Sequence, residues 1–312
     1  MKIKENFITV LGKKYRLDNT TEHKIWSTQV SNLEWCERYF KIMNKYPHSD
    51  ETNQYVVIGN LEHAVFESFA QKTKSQWLNK GGFHESDLEK TYEIIDKIIE
   101  IELGFALENY AQFGNYIEHM IPSLKNRLRI LAHRQLNEAI ELLKKGLSVQ
   151  DVTEKILPWQ IERPLYSQNL RLAGRPDFIY RYKGKVIIVD LKSHNDTEDA
   201  FNHSAQHFLQ LLTYSVMYEE LFHEKVSEVQ IFYTKNLKTS SIKVNKALKD
   251  NAVKQILKAR SFSTHEDIPP KLSGDEAYKC DYCYIRERCF ATEDYEPEPD
   301  DEVTFTTRGE FE

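Results

Sequence analysis

Gly174-Arg175-Pro176-Asp177-Phe178-Ile179-Tyr180-Arg181-Tyr182-Lys183-Gly184-Lys185-Val186-Ile187-Ile188-Val189-Asp190-Leu191-Lys192 decides the fold of this 312-residue chain. Two runs rich in β-branched and aromatic residues flank Lys183-Gly184, so Leu172–Tyr182 and Lys185–Ser193 read as strands joined by a short turn. A strand's period of two puts Val186, Ile188, Asp190 and Lys192 on one face and Ile187, Val189 and Leu191 on the other. A carboxylate and an ammonium thus project together from the end of an apolar strand, where burial is costly unless the charges are paired or bind a metal. The hairpin can also carry Asp177, separated from Asp190 by twelve residues, to the same place. Two carboxylates and a lysine suit phosphodiester hydrolysis: hard oxygen ligands hold Mg2+ or Mn2+, and the lysine orients water or stabilises the developing anion. The plainer alternative is a surface hairpin with an ordinary ion pair.

Outward from the hairpin the periodicity changes at Pro158, the clearest boundary in the chain. Before it the apolar residues keep helical spacing. Ser31 and Asn32 are placed to cap a helix that carries Cys36 and ends near Asn44. Val57–Lys72 forms a second, with Leu61, Val65 and Phe69 on one face. Ser86 caps a third, and Gly114–Lys145 forms a fourth that is expected to kink or restart at Pro122. Residues 1–28 read as mixed strand and loop. After Pro158, Trp159–Ser167 adds a strand, a helix covers Asp199–Phe222, strands cover Val229–Lys235 and Ser240–Val244, and a helix covers Lys246–Ser261. The class is α/β. The expected divisions are a helical N-terminal region over 1–157, a strand-rich core over 158–265, a cysteine segment over 266–292 behind Pro269-Pro270, and a tail over 293–312.

Asp and Glu number 48 against 42 Lys and Arg, a net charge of −6. Nine acidic residues but only Arg308 among the bases fall between Glu293 and Glu312. The tail therefore carries −8 and residues 1–292 a near-neutral +2. With Pro297 and Pro299 it reads as a disordered acidic extension that either aids solubility or engages a partner as a DNA mimic. Eleven glycines and nine prolines exclude collagen-like and Pro-rich chains, and 40% hydrophobic with 29% charged residues is a globular profile. The longest aliphatic run, Val186–Val189, falls far short of the roughly 20 residues that cross a bilayer, and Met1–Asn19 holds no apolar block like a secretory leader. A cytoplasmic protein without a membrane partner is expected. Lys125–Arg129 with Arg134, and Lys254–Arg260, are either phosphate-contacting faces or solvated helix surface; Tyr180 and Phe208 either stack on bases or fill the core.

The four cysteines are Cys36, Cys280, Cys283 and Cys289. In a reducing compartment a C-x2-C-x5-C segment suits a metal better than disulfides, and four thiolates hold either zinc or an iron-sulfur cubane. One remote ligand would tie the N-terminal region to the C-terminal segment. Elsewhere, Gln206, Gln210 and Tyr214 recur at intervals of four on an otherwise apolar helix, as a solvated edge or a polar face with a purpose. His63 and Glu67 lie one helical turn apart; His63 is either structural or an imidazole that completes a Mn2+ site.

Gly59 with His63, Gly174-Arg175-Pro176-Asp177, Asp190-Leu191-Lys192, Gln210 with Tyr214, and the four cysteines stand in an order that resembles the RecB-like branch of the PD-(D/E)XK nuclease superfamily. The likeness is to its iron-sulfur members, typified by CRISPR adaptation exonucleases and the AddB nuclease domain, over about Ser31 to Phe290. The resemblance implies a restriction-endonuclease-like mixed sheet flanked by helices. It implies Mn2+ or Mg2+ held by His63, Asp177, Asp190 and the Leu191 carbonyl, with Lys192 as catalytic lysine. Gln210 and Tyr214 would belong to a helix that orders the site and the bound strand. Cys36, Cys280, Cys283 and Cys289 would hold a 4Fe-4S cluster, with zinc the less favoured occupant. Two departures stand out: Asp190 replaces a frequent Glu, and Glu37 follows Cys36 where proline is frequent. Glu162 is structural or supports the site from behind. No G-x-x-x-x-G-K-S/T loop is present, so any motor would come from a helicase, CRISPR or recombination partner. A cluster that clasps the two ends of the fold around a strand favours an exonuclease on single-stranded DNA with a free end. The rivals are an endonuclease of the same core and a module that binds nucleic acid or protein without cutting.

Overall fold

The computed structural model describes residues 6–17, 24–45, 54–196, 204–264, 267–283 and 285–291. Its centre is the expected hairpin of β7 (Phe178–Tyr182) and β8 (Lys185–Lys192). Lys183 and Gly184 take φ values of 47° and 75°, the pair of left-handed conformations that a two-residue type I′ turn requires. That turn sets the register, with Phe178 opposite Val189, and so brings Asp177 beside Asp190. β8 pairs in parallel with β9 (Val226–Tyr233), β9 antiparallel with β10 (Lys238–Lys243), and β7 antiparallel with β4 (Gln160–Ile161). The result is a five-stranded mixed sheet in the order β10-β9-β8-β7-β4.

Helices cover both faces, as a central strand with apolar residues on each side demands. Val186 and Ile188 pack with Leu211, Tyr218, Ala252 and Ile256 of α7 (Ser204–Phe222) and α8 (Lys246–Ser263). Val189 and Leu191 pack on the opposite face with α3 (Gln54–Leu78), α4 (Asp87–Asn109) and α5 (Gly114–Lys144), through Val65, Phe66, Ile95 and Leu128. Each such side chain, fully buried, contributes about 1.5–3 kcal/mol. Beyond them α6 (Val149–Ile156) closes a smaller core of Trp77, Leu136 and Leu157. A β1–β2 hairpin (Asn6–Val10, Lys13–Leu17) is tied to α8 by Tyr15, whose hydroxyl donates to Asp250 over 2.9 Å.

Several elements differ from the sequence expectation. Leu172–Tyr182 is not one strand. Pro176 has no N–H for a ladder, and the run splits into β6 (Leu172–Gly174) and β7. β6 joins a separate three-stranded sheet between β3 (Ile25–Trp26) and β5 (Leu165–Ser167). Trp159–Ser167 divides likewise into β4 and β5, and Glu162 between them turns through a left-handed φ of 49°. The helix expected from Ser31 to Asn44 is two, α1 (Ser27–Trp35) and α2 (Glu37–Lys45), and Cys36 sits extended at the break instead of inside a helix. Ser86 precedes α4 but makes no capping bond; Asp87 accepts the His84 N–H over 3.0 Å instead. α5 runs unbroken past Pro122, because fully buried Ile117, Leu124 and Leu128 on one stripe outweigh one lost backbone bond. The C-terminal segment is a 3-10 stretch (Gly274–Tyr282) and α9 (Arg286–Ala291). The expected helix start at Asp199 and the acidic tail lie outside the described residues. Among the described residues no helix is long and apolar enough to cross a membrane.

Candidate active site

The break at Pro176 delivers Asp177 to the end of β8. Its carbonyl accepts the Glu162 N–H over 2.9 Å, and its Oδ2 accepts the Leu191 N–H over 2.5 Å. Asp190 emerges two residues before the end of β8, and Lys192 Nζ lies 2.5 Å from its Oδ2. Both carboxylates are buried, at 7% and 4% exposure. From one face α3 brings His63, with Nδ1 3.6 Å from Asp177 Oδ1. Glu67, one turn on, completes a set in which the ligand atoms of His63, Glu67 and Asp177 lie within 4.8 Å of one another. From the other face α7 brings buried Gln210 and Tyr214, and the Gln210 amide donates to the Tyr214 hydroxyl over 2.8 Å.

Two glycines allow this convergence. A Cβ on Gly59 would meet Ser193 Oγ at 3.1 Å, so glycine lets α3 lie close to the residue after β8. A Cβ on Gly174 would fall 2.4 Å from Tyr214 Cε1 and 2.5 Å from Ser27 Oγ, well inside contact distance. Together these elements wall a cleft of about 770 Å³ lined by His63, Glu67, Asp177, Asp190, Lys192, Gln210 and Tyr214.

The charges are strongly coupled. Burial alone would raise the Asp177 pKa, yet His63, the Leu191 N–H and Lys192 hold it below the ordinary carboxylate range. Burial raises Asp190, and Asp177 adds to this against the opposing pull of Lys192. For His63 the lowering effect of burial is overcome by Asp177, and the net shift is upward. Burial and then Glu162 and Asp177 push Glu67 up to about 8. Burial raises the Tyr214 phenol, with Asp190 adding to the rise, so it stays protonated. This donor set of carboxylates and an imidazole, in which burial and the neighbouring Asp177 both raise the pKa of Asp190 and Glu67, fits a hard divalent cation.

Of the residues expected at the site, His63, Asp177, Asp190, Lys192, Gln210 and Tyr214 all line the cleft. The Leu191 side chain is buried in the helical core, and its main chain meets Asp177. Gln206 is not among the cleft residues; its amide donates to Asn32 on α1 over 3.3 Å. The basic clusters are only partly open: Lys125 and Arg129 pair with Asp96, and Arg127 and Arg260 are buried, while Arg134, Lys254 and Lys258 are exposed. Tyr180 and Phe208 pack against the cores. Glu162 pairs with Arg175 over 3.1 Å. Unforeseen was a network behind the cleft. Glu62, beside His63, pairs with Arg127 over 2.6 Å and accepts from Thr234 Oγ1 over 2.5 Å, while the Thr234 N–H donates to the Lys192 carbonyl over 2.9 Å. The one signal for it was a charged residue on the apolar stripe of α3.

Cys36, Cys280, Cys283 and Cys289 are free thiols that line one small pocket. Cys36 enters it because α1 ends there. Arg38 donates from Nε to Cys289 Sγ over 3.2 Å and from its two terminal nitrogens to Pro269 O and Cys289 O. Burial, with smaller contributions from the neighbouring sulfurs, raises Cys36 and pushes Cys283 up to about 11.

The profile of the PD-(D/E)XK nuclease superfamily matches residues 27–290. A search of curated proteins finds no match.

Proposed function

Because the chain belongs to the PD-(D/E)XK nuclease superfamily, we propose that it is a metal-dependent DNA exonuclease of the RecB-like, iron-sulfur branch that acts on single-stranded ends. The observation that carries the reading is the meeting of Asp177, Asp190 and Lys192 with His63 in one cleft. His63, Asp177, Asp190 and the Leu191 carbonyl would hold Mn2+ or Mg2+. Bound there, the cation supplies Lewis-acid polarisation of the scissile phosphate and lowers the pKa of a bound water. Lys192, pinned by Asp190, orients the attacking water and stabilises negative charge that develops on the phosphoryl oxygens. The Leu191 N–H holds one Asp177 oxygen, which leaves the other turned to His63. Gln210 and Tyr214 form a fixed wall on the far side, and the buried phenol is a neutral hydrogen-bonding group for the bound strand.

The cysteine pocket supports a thiolate-held group, which we assign as iron-sulfur: four thiols face it, and Arg38, which donates to Cys289 Sγ, offsets the charge of a thiolate cluster. Cys36 would then join the N-terminal helices to the segment after residue 266, closing a clasp that a strand passes by its end. Digestion of end-labelled linear single-stranded DNA by anaerobically purified protein, with Mn2+, Mg2+ or EDTA, tests the reading. Metal-dependent shortening lost in Asp190→Ala is the expected result. Efficient cutting of closed single-stranded circles would replace the exonuclease with an endonuclease of the same core, and no cutting by folded, cluster-loaded protein would leave a binding module.

A further inference from the structure

The three-stranded sheet beside the cleft carries a feature that hydrolysis does not use. Trp26 of β3 and Tyr166 of β5 both lie opposite Ala173 of the middle strand, β6. Residues opposite one another across a sheet point to the same face, so an indole and a phenol stand on either side of one methyl group, on strands about 10 Å apart. Both rings face solvent, Trp26 at 49% and Tyr166 at 36% exposure, while their neighbours Ile25 and Leu165 are buried. The Lys24 ammonium lies 4.5 Å from the Trp26 ring centre and 5.4 Å from that of Tyr166. Exposed Arg171 precedes β6, and its carbonyl accepts the Ile25 N–H over 2.9 Å. Trp26 also lines the cleft that holds Asp177 and Asp190, and Gly174, which follows Ala173, is in that lining too.

We propose that Trp26, Tyr166 and Lys24 form a platform for unpaired nucleobases at the mouth of the cleft. Aromatic side chains stack on the faces of bases of any sequence, and a duplex hides those base faces, so the row selects single strands. Lys24, which lies over both rings in the free protein, would swing off them as a base stacks and meet that nucleotide's phosphate, and Gly174-Arg175-Pro176-Asp177 leads from the row to the carboxylates. The proposal rests on the nucleic-acid reading of the cleft and requires no cleavage.

The test is fluorescence anisotropy of the full chain with labelled oligothymidylate and with a blunt duplex, both in EDTA. Trp26→Leu should weaken oligothymidylate binding about tenfold and Trp26→Phe by less than about threefold, because the phenyl restores a stacking face. Tyr166→Leu, on a different strand, repeats the measurement where Trp26→Leu fails to fold. Lys24→Ala should reduce the salt dependence of binding by about one ion. Unchanged oligothymidylate affinity in both leucine variants, or equal losses for oligothymidylate and duplex, would overturn the platform. Wild type that binds in this variant-sensitive way but never cleaves with Mn2+ would remove the nuclease and keep the platform; wild type that cleaves while both leucine variants bind normally would do the reverse.

Discussion

Gly174→Ala is the most direct probe of how the site is assembled. The added methyl would lie 2.4 Å from Tyr214 Cε1 and 2.5 Å from Ser27 Oγ. Carbon pairs rest at about 3.5–4.0 Å, so the ring or β6 must retreat by more than about 1 Å. Tyr214 has little room: it is 3% exposed, and its hydroxyl accepts from the Gln210 amide and the Arg175 backbone. Overpacking of this kind costs about 1–3 kcal/mol. Ser27 can rotate away only by giving up its bond to the Ala173 carbonyl at 3.2 Å, about another 1 kcal/mol. A total of about 2–4 kcal/mol is expected from urea unfolding at unchanged slope. Displacing Tyr214 also displaces Arg175 and with it Asp177, and a misplacement of about 1 Å lowers turnover roughly a hundredfold. Ser27→Gly in the same chain removes one of the two clashes and should return part of the stability. Gly174→Ala protein within about 0.5 kcal/mol of wild type and equally active would refute the close approach.

Lys192→Ala should lower Mn2+-dependent cleavage by at least about a hundredfold in protein whose circular dichroism remains that of the folded wild type; retained activity would remove the lysine from the mechanism. Cys283→Ala should strip the brown colour of anaerobically purified protein and lower its stability, whereas a colourless wild type with stoichiometric zinc would overturn the iron-sulfur assignment. Glu62→Met leaves buried Arg127 unpaired and should cost about 3–5 kcal/mol, with much of the loss recovered in Glu62→Met/Arg127→Met; a cost no smaller in the double variant would mean the pair is not the cause. Burial alone would raise the Asp87 pKa, but Lys80 at 2.5 Å and the His84 N–H hold it below the ordinary carboxylate range. A depressed folded-state pKa contributes stability that is complete above the unfolded value near about 4 and lost as pH falls through the folded one. Asp87→Asn should therefore cost about 1 kcal/mol at neutral pH and progressively less below about pH 4; a cost independent of pH in urea titrations would exclude this account.

What the sequence made legible follows from the range over which each signal acts. The β7–β8 hairpin was readable because a two-residue turn fixes register locally, and register alone places Asp177 against Asp190. The long helices were readable from their stripes. The break at Pro176 was not, since alternation from Leu172 to Tyr182 masks a change of sheet that only the missing N–H betrays. The break at Cys36 carries neither glycine nor proline, and it is imposed by the extended geometry that turns the cysteine toward the C-terminal segment. Arg127 and Arg260 looked like surface cations because nothing nearby in sequence foretells their burial; the partner of Arg127 is Glu62, 65 residues away. Glu67 was visible as the residue one turn after His63, but its place among the metal-facing groups depends on Asp177 arriving from another element.

The physical logic of the site lies in where β8 stops being apolar. From Val186 through Leu191 its side chains enter one core or the other, except that Asp190 takes a core-facing position with a charge. That substitution is tolerable only where the covering helices part, at the strand end, and there α3 and α7 approach over Gly59 and Gly174 from opposite faces. The approach of α3 is then fixed by Glu62, one residue from His63, through Arg127 on α5 and through Thr234 to the Lys192 carbonyl. A buried ion pair adds little net stability compared with apolar residues of the same size, and its best-attested use is to specify one arrangement among several. Here the arrangement specified is the distance between an imidazole on α3 and the carboxylates and lysine at the end of β8. The same residues that weaken the core at this point therefore set the geometry on which metal-dependent hydrolysis depends.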